Sequence, residues 1–441
     1  MKVPFDFIKT YQKIAMRYLA LMFIILSAES LFGQSDSLDL EKCRKLVITR
    51  YPLTSDMDRN LEASNLKIEN IKAVYYPTLQ LTGQFVHVAD VPHTVVQNPL
   101  FSIPLVGKDQ YKMLVEAKQI IYDGGLTKRR NDLESINVLT DNQDIQVKLY
   151  QLNDQVNELY FMILLFQEQN TLLSLTRINL QEQLKVVESG VKNGVLLPGD
   201  ADVVKAEILK IDQRIIELES GKKSGIEMLS ELMDSTLSEN IDFVFPSYDK
   251  KDSESSVNRP EYKLLELQRG RIEKTDRLNK AYRFPYLGLF GQFGYGYPGM
   301  NMLEDKPNII YSFGVSLSWN IWDWGKVKRE SQINKISADK ILTQKEIFDK
   351  NLNMAVTQEL NKIKQFEESI KSDEEIIGLR ERITSAKSSQ LKNGVITSSD
   401  FIIEMNAETQ AKINKQLHEI QLLKAIIRLN TLRGNINESA E

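Results

Sequence analysis

Residues 126–189 read LTKRRNDLESINVLTDNQDIQVKLYQLNDQVNELYFMILLFQEQNTLLSLTRINLQEQLKVVES, a long run without proline or glycine. Leu149, Leu152, Val156, Leu159, Ile163 and Phe166 recur within it at three- and four-residue steps, the period of a helix with one apolar face. Residues 326–390 are built alike. A helix of some 60 residues is about 90 Å long and is not stable alone in water, so each run needs a partner along its length. The partners follow in sequence. Residues 200–232 and 400–432 return after Lys-Asn-Gly-Val turns, which predicts two antiparallel coiled hairpins.

Working outward, the chain repeats itself. Ala73-Val74-Tyr75-Tyr76-Pro77 with Gly83-Gln84-Phe85 answers to Ala281-Tyr282-Arg283-Phe284-Pro285 with Gly291-Gln292-Phe293, an offset of 208 that Pro52 and Pro260 share. Beyond the next loop the offset is 200. It joins Tyr122-Asp123-Gly124-Gly125 to Trp322-Asp323-Trp324-Gly325, Lys128 and Arg129 to Lys328 and Arg329, and Ser189, Lys192-Asn193-Gly194-Val195 and Asp200 to Ser389, Lys392-Asn393-Gly394-Val395 and Asp400. A tandem duplication with about eight residues lost from one loop accounts for both offsets.

Between each pair of helical runs lie two strands. In residues 311–322, Tyr311, Phe313, Val315, Leu317, Trp319 and Ile321 alternate with Ser312, Gly314, Ser316, Ser318 and Asn320. Residues 113–121 alternate more weakly, and 79–88 and 286–297 are the partners across loops carrying Pro92, Pro99 and Pro104 or Pro298, Gly299 and Pro307. Strands of about ten residues with aromatic ends resemble those of transmembrane barrels, and an ordinary sandwich hairpin is the competing reading. Four membrane strands cannot close a barrel alone, so a membrane reading demands an oligomer of two or three chains.

Composition trims the function classes. The chain has 441 residues, with 56 basic and 60 acidic side chains and a formal net charge of −4. That balance argues against nucleic acid as a partner. A mean hydropathy of −0.30 argues against a bundle of membrane helices. One cysteine, Cys43, excludes an internal disulfide or a cysteine metal cage, and His87, His93 and His418 form no spaced ligand set. No nucleophile, base and orienting group cluster, so neither catalysis, nor a cofactor, nor a metal site is expected. At the N-terminus Lys9, Lys13 and Arg17 precede an apolar stretch over 19–26 and small residues ending at Gly33, the layout of a secretory signal over 1–33. Met16 is an alternative start. The first repeat then spans 34–240, with its β-hairpin over 77–122 and helical tip near 190–200. A linker covers 241–258. The second repeat spans 259–441, with its hairpin over 285–322 and tip near 390–400.

Signal, duplicated hairpins and the two tips resemble the TolC-type outer-membrane factors. The tips carry the resemblance most specifically: Asn193-Gly194-Val195-Leu196-Leu197-Pro198-Gly199-Asp200 and Asn393-Gly394-Val395-Ile396-Thr397-Ser398-Ser399-Asp400, each with Gly followed six residues later by Asp. The resemblance implies a homotrimer: a twelve-stranded outer-membrane barrel, four strands per chain, continued by a helical tunnel across the periplasm. It implies a passive exit duct for a tripartite efflux pump or type I secretion system. The duct would dock on a periplasmic adaptor and, through it, an inner-membrane transporter, and 241–258 would form the equatorial region.

Site expectations follow. Gly194, Val195, Leu196, Gly394, Val395 and Ile396 are candidate adaptor-docking residues, because apolar side chains exposed at a turn mark a contact. Asp200 and Asp400 are read as helix N-caps or as carboxylates at the tunnel mouth, Asp400 being the ring position by family match. The tyrosine and arginine that lock the gate in relatives fall at Leu391 and Ile396, which points to an apolar constriction instead. Lys128, Arg129, Lys328 and Arg329 are either solvated charge or contacts to lipid phosphate. Trp319, Trp322 and Trp324 fit an aromatic belt or a packed core. Two rivals remain: a secreted or periplasmic coiled-coil scaffold, which lacks a reason for the strands, and a periplasmic enzyme, which lacks a site. The cargo is chosen elsewhere in such a system, so this sequence does not name it.

Overall fold

The apolar periods set the architecture. A computed structural model describes residues 37–91, 106–246, 257–301 and 304–435; the proposed signal, most of 241–258 and Pro92, Pro99 and Pro104 lie outside them. In chain order the elements are β1 (Ser37–Leu38), α1 (Leu40–Arg50), α2 (Leu53–Ala73), β2 (Thr78–His87), β3 (Asp109–Tyr122), α3 (Leu126–Lys192), α4 (Pro198–Leu232), β4 (Asp242–Phe243), α5 (Pro260–Ala281), β5 (Tyr286–Tyr297), β6 (Asn308–Ser318), α6 (Lys326–Lys392) and α7 (Ser398–Arg433). The chain is mainly helical. It divides into two compact units, each drawing on both halves of the sequence.

One unit holds the described residues up to Tyr51, Gln151–Val257 and those from Met354 onward. Its helical core shows why α3 and α4 run so long. Leu173, Leu180 and Val187 on α3 and Val204, Ile211 and Leu218 on α4 are buried at seven-residue steps. That spacing keeps one seam against a partner helix. Leu391, Phe401, Ile402 and Met405 of α6 and α7 join the same cluster. Each such side chain contributes about 1.5–3 kcal/mol by leaving water. At the other end of this unit β1 pairs in parallel with β4, Leu38 opposite Phe243. The Tyr160 hydroxyl sits between the Leu38 and Val244 carbonyls, at 2.9 and 2.6 Å. Gln167 accepts from the Phe243 amide and donates to its carbonyl (3.1 and 3.0 Å), so a side-chain amide extends the ladder. Buried Arg44 donates to Asn157 Oδ1 through Nε (3.0 Å) and Nη2 (2.6 Å).

The other unit holds Pro52–Tyr150 and Asn258–Asn353. Its sheet has the order β2-β3-β5-β6, antiparallel throughout. The register lines up Leu81, Val115, Phe293 and Tyr311 in one row, and Leu79, Ala117, Gly291 and Phe313 in the next. Rows of the opposite face hold Gln80, Glu116, Gln292 and Ser312, and Gln84, Lys112, Gly296 and Asn308. One face is apolar and exposed; the other is mainly polar, with Leu114, Phe290 and Ile310 set among its polar side chains. β6 stops at Ser318, so Trp319, Ile321 and Trp322 lie past the strand that the alternation placed them in. Trp319 Nε1 instead donates to the Arg283 carbonyl at 3.0 Å. No described helix is long and apolar enough to cross a membrane.

Candidate functional site

The paired helical tips are built by chain reversal. α3 ends where Gly194 takes φ +74° and α6 where Gly394 takes φ +69°, a left-handed conformation that costs a Cβ-bearing residue about 1 kcal/mol or more. The amides of Val195 and Leu196 then donate back to the Gly190 carbonyl (2.9 and 3.2 Å), and Val395 donates to Gln390 (2.9 Å). A Cβ on Gly190 would lie 2.8 Å from Leu196 Cδ1, so glycine there lets Leu196 fold onto its own hairpin. Leu196 and Ile396 accordingly pack against the helical core cluster. Val195, Leu197 and Val395 are the exposed apolar side chains. The expectation that Leu196 and Ile396 point outward is corrected on that ground, and Leu197, which the sequence reading passed over, takes their place.

Asp200 and Asp400 do not cap their helices as N-cap residues. The N-caps are Leu197 and Thr397, and each aspartate stands three residues inside. Asp400 Oδ2 accepts from the Thr397 amide (3.1 Å) and hydroxyl (2.7 Å), and the Asp400 amide donates to Thr397 Oγ1 (3.3 Å). This is a capping box with aspartate in the role usually taken by glutamate. The Thr397 hydroxyl, with its amide second, holds the Asp400 carboxyl below the usual carboxylate range. At the first tip Leu197 has no oxygen to return. Asp200 Oδ2 accepts from the Leu197 amide (3.0 Å), while Oδ1 accepts from the amide of Ser398 (2.7 Å). One carboxylate therefore ties the two tips together across 198 residues of sequence. Val195 completes the contact: a Cβ on Gly394 would meet its Cγ1 at 2.9 Å.

Leu391 is 0% exposed, enclosed by the core cluster. Of the two positions expected to form an apolar constriction, Leu391 is enclosed within the chain, whereas Ile396 is half-buried against the same cluster.

At the strand-to-helix turns, Asp123 Oδ1 accepts from Gly125 N (2.9 Å) and the Tyr75 hydroxyl (2.9 Å), and Oδ2 from Thr127 N (2.6 Å). Asp323 does the same for Gly325 N (2.9 Å) and Val327 N (3.0 Å). Here the Asp-Gly signature has a mechanical meaning: the carboxylate satisfies the free amides that begin α3 and α6. Lys128 and Lys328 extend to solvent from the first turns. Arg129 pairs with Asp132 at 3.3 Å, and Arg329 donates to the Trp324 carbonyl at 2.8 Å. Trp324 stands where the first copy has Gly124. It keeps that left-handed conformation, φ +53°, while 80% exposed and edge-on to Trp322 at 6.0 Å. Among the described residues no cluster of His, Cys, Asp and Glu has the spacing of a metal site.

Residues 253–435 match the family model described as outer membrane efflux protein. Among solved structures, the outer-membrane channel OprN shares 14% identity at a TM-score of 0.65, with 90% of each chain covered. VceC of Vibrio cholerae gives 10% identity and 0.65, covering 90% of this chain and 96% of that one. The CmeC outer membrane channel of Campylobacter jejuni gives 12% and 0.64, covering 91% and 87%. These likenesses establish the fold. No curated protein sequence matches the chain. A match to the outer membrane efflux protein model over residues 253–435, together with a fold shared over nine tenths of the chain with outer-membrane channels, makes that family the one this chain most resembles.

Proposed function

We propose that three copies of this chain close a twelve-stranded barrel in the outer membrane, and that the α3–α4 and α6–α7 hairpins continue it as a periplasmic tunnel. The observation that carries this reading is the two-faced sheet with two free edges. β2 and β6 run in opposite directions at its borders, so β6 of one copy against β2 of the next continues the antiparallel alternation. A free edge in lipid leaves backbone amides and carbonyls without partners, and a closed ring removes it. The apolar rows would face lipid and the polar rows the lumen.

The duct conducts passively and serves a tripartite efflux pump or a type I secretion system. Exposed Val195, Leu197 and Val395, on turns shaped by Gly194 and Gly394, form the surface for a periplasmic adaptor, which links the duct to an inner-membrane transporter. The Asp200 link between the tips, with the Asp400 carboxylates at the mouth, holds the closed state. Lys128, Arg129, Lys328 and Arg329, with Trp319, Trp322 and Trp324, sit where the strands give way to helices and contact the lipid boundary. The strain accepted at Trp324 supports that placement, since glycine would serve the turn better. Residues 1–33 act as the export signal, and the matched halves descend from a duplication.

Deleting the gene should sensitise cells to toxic solutes or abolish secretion of a protein substrate, with recovery by the full chain and not by one carrying Val195→Asp and Val395→Asp. Full recovery by the doubly substituted chain at equal membrane level would refute the docking surface.

A further inference from the structure

We propose that Lys112 sets the charge preference of the barrel interior, making it favour anionic over cationic organic solutes. The inference rests on the reading that the polar face of the sheet lines the lumen. On that face the four strands carry three charged side chains: Lys112, Glu116 and Lys118. Glu116 and Lys118 lie two residues apart on the same face and pair at 3.0 Å. Their fields cancel to first order. Lys112 has no acidic partner among the described residues. Its row offers Gln84 on one side and Gly296 then Asn308 on the other, all neutral. Gly296 also clears the space beside it: a Cβ there would come within 2.9 Å of Lys112 Cβ and 3.0 Å of Ile310 Cδ1. Lys112 is exposed on this face, and no acidic side chain in its row is there to neutralise it.

Symmetry turns one uncompensated charge into a ring. Three copies place three such ammonium groups at one level of the barrel, where low-dielectric walls focus their field into the lumen. The next row on the same face is largely apolar, with Leu114 and Ile310 flanking Gly294 and Thr82 at its edge, where the hydroxyl donates to the Leu114 carbonyl. A ring of positive charge beside a largely apolar row suits solutes with a negative head and an apolar body.

The test is local, because the tip carboxylates would dominate a reversal potential taken across the whole duct. Gln84→Cys places a thiol directly opposite Lys112, and the native Cys43 is fully buried and does not compete. The full-length protein in lipid vesicles is treated with a methanethiosulfonate bearing either a sulfonate or a trimethylammonium group, and the two rates are compared. With opposed Cβ atoms about 5 Å apart and the lysine stem carrying its charge further, to about 7–8 Å from the thiol, the sulfonate-to-ammonium rate ratio should rise about fourfold at 0.01 M salt, falling toward twofold at 0.1 M. Lys112→Gln should abolish that excess and Lys112→Arg should keep it. If the Gln84→Cys thiol reacts at a ratio that does not change with Lys112→Gln, the proposal is overturned while the barrel stays intact. If that thiol is unreactive alongside a reactive one from Phe293→Cys, on the opposite face, the barrel orientation is overturned and the proposal with it.

Discussion

Asp200 offers the sharpest test of how the tips are held. Its Oδ1 takes the Ser398 amide at 2.7 Å, while Oδ2 takes the Leu197 amide at 3.0 Å. A hydrogen bond to a charged group is worth about 1.5–3 kcal/mol when well buried; at this half-exposed site about 1–2 kcal/mol is the reasonable expectation for the Ser398 bond. The donor can be removed separately. Ser398 occupies the first position of α7, where proline is tolerated, and Pro198 occupies the matching position of α4. Thr397 already has φ −80° and ψ 159°, the conformation that a following proline requires. Asp200→Ala and Ser398→Pro thus break the same bond from opposite ends. Hydrogen exchange of residues 391–397, in detergent-extracted protein, should speed up about 5–30-fold in either variant, the factor that 1–2 kcal/mol of opening free energy supplies. The double variant should exchange no faster than Asp200→Ala alone, because the second change has nothing left to break. Additive effects, or an Asp200→Ala variant that exchanges at the wild-type rate, would refute the reasoning.

Three further outcomes follow from the same geometry. Leu180→Ala removes a fully buried member of the α3 seam and should cost about 2–5 kcal/mol in denaturant unfolding; Leu209→Ala, on the exposed side of α4, should cost far less in an isolated chain. The Asp400 carboxyl is depressed by the Thr397 hydroxyl, so its contribution is present above the unfolded aspartate value near 3.9 and is lost as pH falls through the lower folded one. Protection at the start of α7 should therefore be flat from pH 8 to 5 and fall below about pH 4, and Asp400→Asn should remove that acid step. Trp324→Gly relieves a left-handed tryptophan and should stabilise the turn by about 1 kcal/mol in detergent, while weakening association with anionic vesicles; a drop in detergent stability would contradict the strain argument.

What sequence patterns conveyed, and what they did not, divides by distance along the chain. The long helices end within a few residues of the expected places, because their apolar period and the glycine turns are local signals. The strands were legible for the same reason, down to which face is greasy. Trp319, Ile321 and Trp322 were wrongly added to β6: alternation cannot tell a strand from the extended turn that follows it. The seven-residue seam of Leu173, Leu180 and Val187 was present but diluted by equally apolar neighbours such as Leu175 and Ile178, which are exposed. The tips were found, yet their chemistry was misassigned. An aspartate near a helix start can be the N-cap or the third residue, and only the backbone separates the two. Nothing local couples Asp200 to Ser398. The same holds for Tyr160 and Gln167 clasping β1 and β4, strands of two residues that leave no periodic trace.

The central claim is that the sheet of one chain is a third of a closed barrel. It is tested most directly by light scattering on protein extracted from membranes in mild detergent, with the detergent contribution subtracted. A protein mass near three times 50.7 kDa is predicted. A monomer that leaves the cell fraction without detergent would contradict the channel and leave the long hairpins as parts of a scaffold.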